Sequence, residues 1–257
     1  MSASHCFKLN QLTVWLKAIR APFFTATIIP VALGSVIAWY DRGSFAWMRF
    51  WLTMVGALFV HAGTNLTNDY FDHLSGCDEA NVTPTPFSGG SRVIQERLIA
   101  PKNILYAALV SFAIGGIIGL YLNYVCKGNV ILILGIIGLL LGFFYTAQPL
   151  RIGYGRLGEL AVGIGFGPLM VAGAYYVQAQ TLPFKVFMVS VPIAILIALV
   201  LFINEFPDYQ ADKSVDKRNL VVILGKKRAI VVYHVLLVGV YVSIVALTAL
   251  RFMPIIC

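Results

Sequence analysis

Charged residues are scarce in this chain. Asp, Glu, Lys and Arg make up 12% of its 257 residues, against about 25% in a soluble globular domain. A disordered chain is excluded by the same figure, because disorder goes with high charge and few apolar residues. Cysteine is sparse and scattered: Cys6, Cys77, Cys126 and Cys257 form no CxxC pair. Neither a disulfide framework nor a cysteine metal site follows from such spacing. No GxxxxGK[ST] loop, HExxH helix or Ser/His/Asp arrangement is present, and the four histidines form no cluster. What the chain has in excess is apolar surface, at 59% hydrophobic residues and a mean hydropathy of +0.84. This composition reads as a polytopic membrane protein.

A bilayer core needs about 20 apolar residues in a helix. Seven stretches meet that length, at 21–40, 47–68, 103–125, 129–147, 157–179, 184–206 and 229–250. The expected fold is therefore all-α, a transmembrane helical bundle of seven spans. Pro30, Pro168 and Pro192 fall inside three spans and read as kinks, which neighbouring membrane helices can tolerate. The first span carries no A-x-A cleavage site and reads as a span, not a signal peptide.

Basic residues orient the bundle. With the N-terminus inside, 14 Lys and Arg lie on the inner face and 5 on the outer face. The net charge of +8 is thus a topology signal and not a sign of nucleic-acid binding. The 11 acidic residues are more telling, because all but Asp41 lie at or near the inner face. Topology does not require that, since Asp and Glu contribute little to orientation. The long inner connections at 73–100 and 207–227 also contrast with short outer turns, and long loops on a rigid scaffold tend to carry function.

Two acidic motifs stand out. The second span runs into Asn65, Asn68, Asp69 and Asp72, followed by Asp78. The sixth runs into Asn204, Glu205 and Asp208, followed by Asp212 and Asp216. Each core reads Asn, acid, aromatic, any residue, Asp, and the two lie 136 positions apart. We read them as a degenerate internal repeat that sets two acidic sites opposite each other. Asn68 and Asp72 share a helix face, as do Asn204, Asp208, Asp212 and Asp216 at steps of four. So many carboxylates cannot stay ionised together at a membrane surface without cations. Hard oxygen ligands suit Mg²⁺, which one or two carboxylates hold while substrate phosphates and waters complete the octahedron.

Basic residues adjoin both motifs. Arg92 follows Gly89-Gly90-Ser91, Lys213 and Lys217 are interleaved with the second motif, and Arg151 lies in a short inner loop after Tyr145. Arg20 enters the first span just before Pro22 and can also face a cavity. Metal ions plus such cations make a clamp for a leaving pyrophosphate. His61 lies mid-helix, one turn before Asn65, and reads first as a satisfied core histidine and second as a cavity residue.

At these residues the sequence resembles the UbiA superfamily of intramembrane aromatic prenyltransferases, from about Lys17 to Leu250. NDYFD at 68–72 and NEFPDYQAD at 204–212 are similar to that superfamily's two Asp-rich signatures. GGSRVIQ at 89–95, YTAQPLR at 145–151, the stretch 155–178 and KRNLVVILG at 217–225 resemble its menaquinone branch, the 1,4-dihydroxy-2-naphthoate prenyltransferases. The resemblance implies that Asn68, Asp72, Asp208 and Asp212 bind two Mg²⁺ ions bridging a polyprenyl diphosphate. Asp69, Asp78, Asn204 and Asp216 would support them. Arg20, Asn65, Arg92, Arg151, Lys213 and Lys217 would hold the diphosphate, with Tyr145 close to the reacting carbon. An aromatic acceptor would then be prenylated, with loss of its carboxylate in the naphthoate branch. 4-Hydroxybenzoate, homogentisate and other aromatic acceptors are alternatives.

The resemblance implies nine membrane helices against the seven counted. The expectation is one prenyltransferase domain over 1–257 that lacks the last two helices of the family fold. A divalent-cation transporter is the competing class, since intramembrane carboxylates can mark ion paths. A path needs polar groups across the bilayer, and here the acids sit at one face.

Overall fold

A computed structural model describes residues 10–82, 84–85 and 88–253. Lys8, Cys6 and Cys257 lie outside them. The described residues are helical throughout, apart from turns and one isolated pairing of Thr85 with Ser88. The helices are α1 (Gln11–Ala18), α2 (Thr25–Arg42), α3 (Trp47–Leu74), α4 (Cys77–Ala80), α5 (Pro101–Val125) and α6 (Val130–Phe144). They continue as α7 (Gly158–Ile164), α8 (Met170–Ala179), α9 (Phe184–Val189), α10 (Val191–Ser214) and α11 (Leu220–Ala249).

Among the described residues, five segments are long and apolar enough to cross a membrane: Ala21–Arg42, Pro101–Val125, Gly158–Ala179, Phe184–Ser214 and Leu220–Ala249. The seven expected stretches thus reduce to five that satisfy both conditions. Of the other two, α3 has 28 residues, but Arg49, His61, Asn65, Asn68, Asp69 and Asp72 dilute its apolar run. The 15 residues of α6 reach about 23 Å at 1.5 Å per residue, short of a ~30 Å hydrocarbon core.

Two boundaries differ from expectation in ways that matter for the site. Both acidic motifs are helical: α3 continues past 68 to Leu74, and α10 continues past 206 to Ser214. The expected long connection at 207–227 shrinks to 215–219, because α11 starts at Leu220 and breaks only at Gly225 (φ 73°). Asn219 starts α11 by accepting the Val222 N–H at 2.9 Å, a side-chain cap of the usual kind. The prolines also divide. Pro30 sits inside α2 and Pro168 inside a π-helical turn at Gly165–Leu169. Pro192 occupies the first turn of α10, where its missing N–H costs nothing.

The principal packing pairs are α3 on α5, α2 on α8 and α10 on α11. Small residues permit the closest of these approaches. At Gly34 of α2 an added Cβ would stand 2.3 Å from the Val171 carbonyl oxygen and 2.9 Å from the Ala174 Cβ of α8. Gly34→Ala is therefore expected to cost about 1–3 kcal/mol through overpacking, read as a lower Tm in detergent. An unchanged Tm would contradict this packing. On the outward surfaces, Val231, Val235, Val238, Val242 and Val245 of α11 are exposed, as lipid-facing residues are. Asp41, the acid expected outside, accepts hydrogen bonds from the Tyr175 hydroxyl (2.8 Å) and Lys185 Nζ (2.6 Å).

Candidate active site

The α3, α4 and α10 ends surround the mouth of a cavity of about 390 Å³. Its mouth is lined by Arg20, Asn65, Asn68, Asp72, Asp78, Asn204, Glu205, Asp208, Asp212 and Lys217. Its belly is apolar, with Leu139, Leu141, Phe166, Leu169 and Val200 among its walls. Tyr145, just past the end of α6, also faces it.

Asp72 is buried; it accepts hydrogen bonds from the Tyr154 hydroxyl (2.8 Å) and Asn68 Nδ2 (3.1 Å). Asp212, also buried, accepts from Asn219 Nδ2 (2.7 Å) and the Cys77 thiol (3.3 Å). Asp208 accepts from Asn81 Nδ2 (2.7 Å) and the Gly89 N–H (3.0 Å). α10 is thus tied to the segment after α3 through Cys77, Asn81 and Gly89. Lys217 stands between the two clusters, its Nζ 3.7 Å from Asp72 and 3.4 Å from Asp212. Burial works against its charge, but the two carboxylates outweigh burial and hold its pKa well above the usual lysine range.

Asp78 is pushed up to about 8, first by burial and then by the Asp72 and Asp69 carboxylates. Its Oδ2 is sealed from solvent and makes no hydrogen bond among the described residues. Gly90 (φ 74°) presses on it, and a Cβ there would come within 2.4 Å of that oxygen. A glycine serves here for both reasons: the backbone is left-handed and the carboxylate leaves no room. Burial also raises the Cys77 thiol and the Tyr154 phenol, so both stay protonated donors.

Not every predicted residue reaches the cavity. Asp69 turns away from it and accepts hydrogen bonds from Arg20, the Ser91 hydroxyl and the Ser91 N–H (3.2 Å). It anchors the 89–91 loop to α3. Arg20 bridges both sides of α3, donating to Asp69 and to Asn68 Oδ1 at 2.7 Å. Asn65 donates to the Ile19 carbonyl at 2.9 Å. Arg92 donates to the Asp78 carbonyl, holding the 78–81 turn. Arg151 lies 4.5 Å over the Tyr154 ring. Lys213 is exposed, and Asp216 is 79% exposed and paired with Arg218 at 2.8 Å. The split follows helical geometry, because neighbours at i+1 (Asp69 after Asn68, Lys213 after Asp212) point about 100° away.

Sequence reasoning missed Asn81, Tyr154, Cys77 and Asn219 as partners of the acids. They come from the one-turn helix α4 and from connecting turns, which carry no periodic signal. Glu205 was read only as the repeat's counterpart of Asp69. The two differ in place, since Glu205 lines the cavity and Asp69 does not.

The donor set fits a hard divalent cation. Carboxylate and amide oxygens converge from two sides, and Asp78 offers a buried oxygen without a partner. Among the described residues no three His, Cys, Asp or Glu side chains close on one ion position. Such a site needs further oxygens from phosphate and water, as Mg²⁺ usually does.

The profile of the UbiA prenyltransferase family matches residues 27–257. The chain belongs to that family. It is a prenyltransferase and an integral membrane protein. Among curated UbiA relatives, a 2-carboxy-1,4-naphthoquinone phytyltransferase from Synechocystis is 30% identical over 89% of this chain and 71% of its own length. A 1,4-dihydroxy-2-naphthoate octaprenyltransferase from Mycobacterium tuberculosis is 32% identical over 87% of this chain and 74% of its own. The fold is similar to that of a UbiA homologue from Archaeoglobus fulgidus solved with GPP and Mg²⁺. The two share a TM-score of 0.72 at 13% identity, covering 92% of this chain and 78% of the other.

Proposed function

We propose that this UbiA protein transfers an isoprenyl group from a polyprenyl diphosphate to 1,4-dihydroxy-2-naphthoate in a Mg²⁺-dependent reaction of menaquinone synthesis. The observation that carries this reading is the cavity's division into an acidic and cationic mouth over an apolar belly. A molecule with a diphosphate head and a hydrocarbon tail matches that division. The naphthoate relatives support the choice of acceptor.

Asn68, Asp72, Asp78, Asn204, Asp208 and Asp212 would hold the metal, which when bound would withdraw charge from the leaving diphosphate. Arg20, Asn65 and Lys217 contact its oxygens. The allylic C–O bond breaks and its electron pair leaves with pyrophosphate. The ring carbon bearing the carboxylate bonds to the allylic carbon beside Tyr145. Loss of that carboxylate as CO₂ returns a pair to the ring and restores aromaticity, so no added base or oxidant is needed. The bias of Lys and Arg supports an N-terminus and a mouth on the cytoplasmic side. We read the chain as one prenyltransferase domain.

The test is pyrophosphate release by protein in detergent. Farnesyl and geranylgeranyl diphosphate serve as donors, each with and without Mg²⁺ and the naphthoate. Release that needs both, with a prenylated decarboxylated product, is expected. Release with a different phenol but not the naphthoate overturns the acceptor assignment and keeps the chemistry.

A further inference from the structure

His61 faces the cavity from α3, seven residues before Asn68, about 10 Å deeper at 1.5 Å per residue. Its side chain is 6% exposed. Nδ1 lies 2.8 Å from Thr27 Oγ1, and Thr27 is fully buried. Either atom can be the donor in this pair; with the threonine hydroxyl donating to Nδ1, the ring proton sits on Nε2. Among the described residues, Nε2 has no hydrogen-bond partner.

The ring is held on both sides. Phe166 meets it edge-on with centroids 4.8 Å apart, and Phe24 lies at 5.3 Å. Phe166 itself lines the cavity from the π-helical turn Gly165–Leu169, a kind of turn that recurs at functional sites. In that tautomer a locked imidazole presents an N–H donor to a belly walled mostly by apolar side chains. An isoprenoid chain has the rest of the belly for its tail, but packed directly against the imidazole it would leave that donor unpaired, which costs free energy. An oxygen-bearing occupant would satisfy it.

We propose that His61 Nε2 donates a hydrogen bond to a ring oxygen of the aromatic acceptor, whose ring packs against Phe166. The inference rests on the prenyl-transfer reading above. In that reading the acceptor's reacting carbon lies beside the allylic carbon near the mouth, so a naphthalenediol extending inward carries its second oxygen toward His61. His61 is then an acceptor-specificity residue outside both acidic motifs.

The experiment compares wild type, His61→Phe, His61→Gln and Thr27→Val in steady-state prenylation. Each is assayed with 1,4-dihydroxy-2-naphthoate and with a 2-naphthoate carrying a single hydroxyl. His61→Phe keeps ring volume and loses the donor. It is expected to lower kcat/KM for the diol about 10–100-fold, mostly through KM, while KM for the prenyl diphosphate stays within about twofold. His61→Gln, which keeps an N–H, should recover part of the loss, and Thr27→Val should show a smaller loss of the same sign. The wild-type preference for the diol over the single-hydroxyl acceptor should collapse in His61→Phe. Unchanged acceptor kinetics in His61→Phe, or equal losses for both acceptors, would overturn the proposal. If wild type uses a different phenol, the same comparison with that phenol and its deoxy analogue decides the His61 assignment separately from the acceptor's identity. Absence of turnover with every phenol would overturn both readings.

Discussion

Asp72→Asn and Asp208→Asn should each lower Mg²⁺-dependent pyrophosphate release by at least about 10³-fold, the scale on which loss of one charge-stabilising group acts. The two positions test both halves of the site, one at the end of α3 and one on α10. Asn preserves shape and one acceptor oxygen, so the Tyr154 bond to position 72 and the Gly89 bond to position 208 can persist. Thermal melts in EDTA should therefore move by only a few degrees. Asp216→Asn is the contrast. That side chain is 79% exposed and pairs only locally with Arg218, so turnover should stay within about twofold of wild type. Wild-type rates in either of the first two variants would overturn the metal assignment. A collapse in Asp216→Asn would show that exposure in this structure does not separate working from bystander carboxylates.

Lys217→Met should destabilise the metal-free protein by roughly 3 kcal/mol, the scale for removing one partner from a buried ion pair. Lys217 is only 16% exposed and lies between Asp72 and Asp212. Without it, two buried carboxylates repel each other across the mouth. A divalent cation can take over the neutralisation, so Mg²⁺ with pyrophosphate should restore much of the lost Tm. Wild type, which already has its lysine there, should gain less from the same addition. Equal Tm losses with and without Mg²⁺ would show that Lys217 acts through packing and not through charge. Turnover should fall as well, because the same ammonium contacts the diphosphate in the proposed reading.

The two experiments use different features of the acidic mouth. The motifs sit on helices, as their spacing implied, and those helices run past the expected span ends, so their side chains are aimed by backbone hydrogen bonds within α3 and α10. The connecting turns then pair with them: Asn81 and Gly89 meet Asp208, and Cys77 and Asn219 meet Asp212. This cross-bracing holds like charges close together before any substrate arrives.

The amino-acid sequence alone determined the all-α membrane class, because long apolar runs and scarce charge admit few other folds. It also determined the two acidic motifs and the faces that Asn68/Asp72 and Asn204/Asp208/Asp212 share, since a helix repeats every 3.6 residues whatever surrounds it. The tertiary structure decided which neighbours of those residues take part. Asp69, Arg92, Lys213 and Asp216 lie near the motifs in sequence and Arg151 follows Tyr145, yet none of them lines the cavity, while Arg20, His61 and Lys217 do. Local periodicity cannot foresee that, because the direction of a side chain from a turn depends on what packs against it. Arg20 at φ 52° and Gly90 at φ 74° hold backbone conformations that only the assembled helices select.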